Sequence, residues 1–277
     1  MSDSKIPLAG VIGHPIAHSK SPRLHGHWLK TYGIAGHYVP LDISPEDFEA
    51  GVRMLPKMGF VGANVTIPHK ETALRIADIV TDRAKTMGAA NTLVFQEDGQ
   101  IHADNTDGYG FIANLKQGAP KWQPESGPAF VFGAGGAARA IICSLLDEGV
   151  PELFLSNRTR ERADALKQEF GDRVTVVDWG NAADALGTSS TVVNTTSLGM
   201  TGHREFNVSL DNLRKDAVVT DLVYAPLRTQ FLDTAAAKGC DTVDGLGMLL
   251  HQAVPGFESW FGKRPEVNED LRRAVLA

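Results

Sequence analysis

Residues 133–138 read Gly133-Ala134-Gly135-Gly136-Ala137-Ala138, between an apolar run, Ala129 to Phe132, and a helical pattern that continues through Leu146. In that context a G-x-G-x-x-A pattern suits a pyrophosphate. Gly133 permits a tight turn, Gly135 lets the backbone approach an anion, and small Ala138 allows close helix packing, while the helix start offers N–H groups to negative charge. The plain alternative is a glycine-rich strand-to-helix turn that holds no ligand. A site for NAD would carry Asp or Glu at the end of the next strand to bind the ribose hydroxyls. Here Leu153-Phe154-Leu155 runs instead into Ser156-Asn157-Arg158-Thr159-Arg160-Glu161-Arg162, with no carboxylate at the strand end. Arginine carries a permanent charge on a planar fork, which suits a ribose 2′-phosphate, so the sequence predicts NADP over NAD. A solvated basic turn is the other reading, and it is disfavoured because positive charge at a helix start opposes the dipole.

A second set of polar residues gathers in the first hundred or so positions. Ser19-Lys20-Ser21-Pro22 places two hydroxyls before a helix. In Asn64-Val65-Thr66-Ile67-Pro68-His69-Lys70 the period of two sets Asn64 and Thr66 on one strand face, with Lys70 at the following helix entrance. Asn91-Thr92 and Asn105-Thr106-Asp107-Gly108 complete the set. Taken singly, each is a cap or a turn.

These segments need elements to position them. Leu8 to Ile12 reads as a strand, followed by a helix from Ser21-Pro22 that carries Leu24, Trp28 and Leu29. Tyr38 to Leu41 and Val61 to Ile67 are further strands. Ser44-Pro45-Glu46-Asp47 looks like a helix start, and a helix is expected from Pro68 through Ile79. Thr92 to Phe95 and Gln100 to Ala103 flank an Asp98-Gly99 turn and read as a hairpin. Breakers crowd Gly118 to Gly127, a candidate seam. Beyond it strands at Ala129–Phe132, Glu152–Ser156, Arg173–Val177, Thr191–Asn194 and Ala217–Leu222 alternate with helical stretches, which implies a doubly wound parallel sheet. Helices are then expected over Thr229–Ala237, Gly247–Trp260 and Glu266–Leu276. The fold class is therefore α/β in two domains: an N-terminal α/β substrate domain, residues 1–107 completed by helices in 246–277, and a Rossmann cofactor domain over 108–245.

Composition narrows the function classes. The chain has 277 residues, 43% of them hydrophobic, and a formal net charge of −6, which argues against broad nucleic-acid binding. No stretch of about 18 consecutive apolar residues occurs, and the N-terminus lacks a signal pattern, so no membrane association is expected. Two distant cysteines, Cys143 and Cys240, signal neither a disulfide framework nor a zinc cluster and fit a reducing, cytoplasmic compartment. His25 with His27 and His14 with His18 lack an adjoining carboxylate or thiol pattern. They read as surface or loop histidines, and no metal is expected.

Taken together, the ordered motifs closely resemble the shikimate dehydrogenase family. The resemblance covers Pro15 to Pro22, Gly62 to Lys70, Asn105 to Gly108, the Gly133 loop, and Asn157-Arg158-Thr159. It continues through Asn194 to Met200, Asp221 to Tyr224, and Asp244 to Gln252. It implies reversible NADPH-dependent reduction of 3-dehydroshikimate to shikimate, with Lys70 and Asp107 as the catalytic pair. Reduction of a ketone puts negative charge on its oxygen, and Lys70 could serve there as proton donor or as electrostatic clamp. By the same resemblance Ser19 and Ser21 hold the substrate carboxylate with help from Tyr224. Asn64, Thr66, Asn91, Asp107 and Gln252 bond ring hydroxyls. The implied cofactor contacts are Gly133, Ala134, Gly135, Gly136, Ala137, Asn157, Arg158, Thr159, Arg162, Thr195, Ser197, Leu222, Gly245 and Met248. Relatives that accept quinate tend to vary the Ser-x-Ser pair, whereas Ser19 and Ser21 are intact. His69 departs from the aromatic or aliphatic residue also common before the lysine. The alternatives are an NAD-linked quinate/shikimate dehydrogenase of broader specificity and a non-catalytic cofactor sensor on the same fold. The partner expected is a small molecule, with the chain a monomer or homodimer.

Overall fold

Strand β1 (Leu8–Gly13) is buried along almost its whole length and is flanked on both sides by parallel strands, as a central strand must be. The structure is a computed structural model and describes residues 6–277. Contacts divide it into two units, the first running through Thr106 and including Leu250–Ala277, the second spanning Asp107–Leu249.

In the first unit β1 is followed by α1 (Ser21–Thr31), β2 (His37–Asp42), α2 (Phe48–Met54), β3 (Phe60–Val65) and α3 (Lys70–Ile76). Then come β4 (Ile79–Val80), α4 (Asp82–Met87), β5 (Thr92–Phe95) and β6 (Ile101–Asp104). Their sheet has the order β2-β1-β3-β5-β6-β4. β5 is antiparallel to both β3 and β6, and with β6 it forms the expected hairpin, closed at Gly99 with its φ of 89°. One core joins Ile12, Phe48, Val52, Leu93 and Ile101. Two expectations fail here. The helix expected from Ser44 begins at Phe48, since Ser44 Oγ takes the Asp47 N–H and closes a turn first. The helix expected through Ile79 stops at Ile76, and Ile79 instead pairs with His102 in β4.

The second unit contains α5 (Asp107–Gly118), β7 (Ala129–Phe132), α6 (Gly136–Asp147), β8 (Leu153–Ser156), α7 (Arg160–Phe170) and β9 (Val174–Val176). It continues with α8 (Ala182–Ala185), β10 (Thr191–Asn194), β11 (Val218–Asp221), α9 (Gln230–Ala237) and β12 (Asp241–Val243). Every strand pair is parallel and the order is β12-β11-β10-β7-β8-β9, the doubly wound arrangement. Alternation along β7 explains the two covered faces. Ala129 and Val131 enter a core with α5 and α6, while Phe130 and Phe132 enter another with Phe206 and Phe231.

The chain continues through α10 (Leu246–Gln252) into α11 (Val254–Phe261) and α12 (Glu269–Leu276). The single helix expected over Gly247–Trp260 is therefore two, broken before Pro255. Within the first unit, Trp260 Nε1 donates to the Leu93 carbonyl at 3.0 Å and Trp28 Nε1 to that of Glu266 at 2.9 Å. Trp260 thus seats the returning segment on β5 of the sheet, and Trp28 ties it to α1.

Candidate active site

Polar residues of the first unit meet where β3, β5 and β6 lie side by side. The antiparallel register sets Asn64 of β3 opposite Thr92 of β5 and Thr92 opposite Asp104 of β6. Asn64 Nδ2 donates to the Asn91 carbonyl at 3.2 Å and to Thr92 Oγ1 at 3.3 Å, and its Oδ1 takes the Tyr38 hydroxyl at 2.7 Å. Asn91 Oδ1 accepts from the Thr92 hydroxyl and the Thr106 N–H, each at 2.9 Å, and its Nδ2 lies 3.4 Å from Gln252 Oε1. The structure thus links Asn64, Asn91 and Gln252 in one network. Of the connecting residues, Thr92 and Thr106 lie in polar segments noted from the sequence but carried no assigned role there, and Tyr38 was read only as a strand residue. Only the strand register reveals Thr92, and Tyr38 comes from the edge strand β2.

The remaining residues of this half lie at loop and helix starts. The Ser19 hydroxyl accepts the Ser21 N–H at 3.3 Å ahead of α1, where no side chain caps the helix; Ser21 is buried and Ser19 half-buried. Thr66 lies just past β3, half-buried, its N–H bonded to the Ile12 carbonyl. Lys70 is the first residue of α3, half-buried, and its carbonyl accepts from Ala90 N at 2.9 Å. His69 has a structural role. Its ring is buried, stacks on Phe48 at 4.4 Å and sets Nε2 2.8 Å from the Ile43 carbonyl, which anchors the entrance of α3.

His25 overturns the expectation of a surface or loop histidine. It is fully buried on α1 among Trp28, Tyr38, Phe257 and Trp260, stacked on Tyr38 at 3.9 Å, and neither ring nitrogen has a hydrogen-bond partner. Burial pushes its pKa down to about 3; the neighbouring Asn64 amide, not aligned to bond the ring, opposes the shift.

In the second unit the glycine turn joins β7 to α6. At Gly133 φ is +106°, and a Cβ there would strike the Thr195 side chain, whereas at Gly135 and Gly136 it would meet nothing within 4 Å. Gly135, Gly136 and Ala137 are exposed, no side chain caps α6, and the first N–H groups of a helix have no intrahelical acceptor. This open rim fits a pyrophosphate. Asn157 steadies it: its Oδ1 accepts from Ala134 N at 3.2 Å and its Nδ2 donates to the Thr159 carbonyl at 2.8 Å. The three arginines separate. Arg160 pairs with Asp178 and with Asp164, while Arg158 and Arg162 are exposed and make no ion pair among the described residues. Thr159 is also exposed there.

Beside the turn, Thr195 Oγ1 donates to the Phe132 carbonyl at 2.7 Å, and Ser197 is exposed on the loop that follows β10. Leu222 and Gly245 touch, since a Cβ on Gly245 would strike the Leu222 carbonyl. Met248 packs against the core of α5 and α6. Tyr224 is half-buried after β11, and Asp107 half-buried at the first position of α5. Sequence reasoning missed the buried clamp behind these loops. Asp221 accepts from Asn194 Nδ2 at 2.9 Å, Val223 N at 3.0 Å and the Thr229 hydroxyl at 2.6 Å. Burial raises its pKa to about 6 against these three bonds. Among the described residues no cluster of three His, Cys, Asp or Glu side chains could hold a metal ion, and no helix is long and apolar enough to cross a membrane.

A doubly wound unit with an open glycine turn, and beside it in the chain a unit whose sheet carries a hydroxyl- and amide-rich network, define the class as a dinucleotide-dependent oxidoreductase. Residues 11–93 match the shikimate dehydrogenase substrate binding domain, 121–221 the shikimate / quinate 5-dehydrogenase family, and 245–275 the shikimate 5′-dehydrogenase C-terminal domain. The chain belongs to the shikimate dehydrogenase family. It is 66% identical over 276 residues to a shikimate dehydrogenase (NADP(+)) of Ruegeria sp. (strain TM1040), covering 100% of both chains. It is 65% identical over 271 residues to that of Paracoccus denitrificans (strain Pd 1222), covering 98% of this chain and 96% of the relative. Among solved structures it resembles shikimate 5-dehydrogenase from Thermus thermophilus in complex with NADP(H) and shikimate. The TM-score is 0.86 at 36% identity, with 98% of this chain and 99% of that one covered. Quinate dehydrogenase from Corynebacterium glutamicum in complex with NAD gives a TM-score of 0.89 at 32% identity, with 98% and 99% covered.

Proposed function

We propose that this protein catalyses the reversible NADP-dependent interconversion of shikimate and 3-dehydroshikimate. The observation that carries the reading is its end-to-end similarity, at 66% identity, to an NADP-linked shikimate dehydrogenase. The connected amides of Asn64, Asn91 and Gln252 support a polyhydroxylated substrate, because each buried ring hydroxyl needs a partner. When bound, NADP supplies the acceptor or donor of the hydride.

The open turn of Gly133, Ala134, Gly135, Gly136 and Ala137 holds the cofactor's pyrophosphate. Arg158 and Arg162, with Thr159, take the 2′-phosphate; Arg160 is committed to Asp178. Asn157 keeps the turn in shape, and Thr195, Ser197, Leu222, Gly245 and Met248 form the remaining wall. The Ser19 and Ser21 hydroxyls, assisted by Tyr224, bind the substrate carboxylate. Asn64, Thr66, Asn91 and Gln252 orient the ring. Lys70 stabilises the charge that develops on the reacting oxygen and gives that oxygen a proton on reduction, with Asp107 the carboxylate partner for the same group. Unbridged Cys143 and Cys240 are consistent with work in the reducing cytoplasm.

Absorbance at the reduced-nicotinamide band, followed with shikimate or quinate against NADP or NAD, tests the reading. Turnover is expected to be fastest with shikimate and NADP. Preference for quinate with NAD would assign the chain to the broader branch, and no turnover with any pair would make it a binding protein.

A further inference from the structure

Thr92 is buried between the two amides, and its hydroxyl touches both. It lies across from Asn64 in the β3–β5 register and next to Asn91 in the chain. Its proton goes to Asn91 Oδ1 at 2.9 Å, and its oxygen accepts from Asn64 Nδ2 at 3.3 Å. Asn91 Oδ1 also takes the Thr106 N–H at 2.9 Å; the Thr106 hydroxyl lies 3.0 Å from that oxygen and 3.3 Å from Thr92 Oγ1, but its nearest acceptor is the Gln252 carbonyl at 2.8 Å. An amide oxygen has two lone pairs, so Asn91 Oδ1 is saturated and any further contact of that amide is made as a donor. Asn64 is set the opposite way. Both Nδ2 hydrogens are spent, on the Asn91 carbonyl and on Thr92, and Oδ1 keeps one lone pair after the Tyr38 hydroxyl. Turning the Asn64 amide over would press its oxygen against the Asn91 carbonyl and against a Thr92 oxygen whose proton is already directed elsewhere.

We propose that Thr92 is a specificity-determining positioning residue whose hydroxyl fixes Asn64 as an acceptor and, together with the Thr106 N–H, holds Asn91 as a donor toward the substrate ring. A ring position facing Asn64 must then donate, as a hydroxyl does and a keto oxygen does not. The inference rests on the functional reading above, in which both amides contact the ring.

Steady-state kinetics of Thr92→Val and Thr92→Ser test it. Valine keeps the shape and removes the hydroxyl; serine keeps the hydroxyl and removes the methyl. Thr92→Val is expected to raise KM for shikimate about tenfold, roughly what one net buried hydrogen bond is worth, with kcat within about threefold and KM for NADP unchanged. Thr92→Ser restores the wild-type KM. An unchanged KM in Thr92→Val overturns the proposal, and so does a serine variant as impaired as valine, which would assign the effect to methyl packing. Parallel loss in kcat and both KM values makes the role merely structural and overturns it too. If the valine variant does not fold, Thr92→Ala is compared with Thr92→Ser by the same criteria. A wild-type protein inactive on shikimate in this assay removes the functional reading and this inference with it, a result distinct from any variant effect.

Discussion

At the scale of the residue, Lys70 opens α3 with its carbonyl tied to Ala90, behind a His69 anchored on Phe48 and Ile43. Lys70→Ala removes the ammonium and leaves that anchor intact. Turnover at saturating shikimate is therefore expected to fall at least about a hundredfold, with KM changed less than about fivefold, measured by steady-state kinetics. Near-normal turnover would take Lys70 out of the mechanism. The arginines allow a sharper contrast. Arg158 has no ion-pair partner among the described residues, whereas Arg160 is held by Asp178 and Asp164. Arg158→Ser should raise KM for NADPH about tenfold or more and leave that for NADH nearly unchanged, because only the first cofactor carries the phosphate. Arg160→Ser should do less; an equal effect of the two substitutions would reject the assignment. The three arginines were legible in the sequence, but not which were already occupied, since Asp178 lies well along the chain. The roles of Thr92 and Tyr38 were illegible for a similar reason: a hydroxyl acquires its role only when register brings an amide opposite it.

At the scale of the element, the seat of the returning C-terminal helices is set by a glycine. A Cβ at Gly62 of β3 would strike the Trp260 ring nitrogen and the Leu93 carbonyl, the two groups that bond to each other at 3.0 Å. Gly62→Ala must push the indole off its acceptor, so about 2 kcal/mol of overpacking is expected, lowering the melting temperature by roughly 4–8 °C. Gly26→Ala is the control. On the exposed face of α1 a Cβ meets nothing within 4 Å, and alanine there should hold or raise the melting temperature, by the ordinary helix preference. Calorimetry on both variants distinguishes the seat from generic glycine effects; a Gly62→Ala protein as stable as wild type would remove it. Strands with continuous apolar runs were readable, as was the Asp98-Gly99 hairpin. Two-residue β4, three-residue β12 and helices α4 and α5 were not singled out. Short edge strands carry no period, and the Asn105-Thr106-Asp107-Gly108 signal for a turn masked the start of α5, where helix formation wins because Phe111, Ile112 and Leu115 find a core.

At the scale of the whole molecule, the two units carry buried titratable groups of opposite sign with respect to acid. In the first, burial lowers His25 to about 3 and His251 to about 4, Arg272 adding to the second, and His69 is lowered as well, chiefly by burial. A histidine held neutral by the fold binds fewer protons than in the unfolded chain. Its contribution is therefore complete above about 6.5 and lost as pH falls toward the folded value. In the second unit Asp221 is raised to about 6, so it binds more protons folded than unfolded, and its contribution is present below the ordinary carboxylate range and lost as pH rises through 6. Between pH 6 and 4.5, acidification should destabilise the first unit and spare or favour the second. Calorimetric scans at pH 7 and 4.5 are expected to show the melting transition broadening or splitting as the first unit's component moves down. His25→Phe, which keeps a ring against Tyr38 and has no proton to take up, should flatten the first unit's acid response by up to about 1.4 kcal/mol per pH unit. If that variant loses stability with acid as steeply as the wild type, the buried imidazole is not the acid-sensitive group.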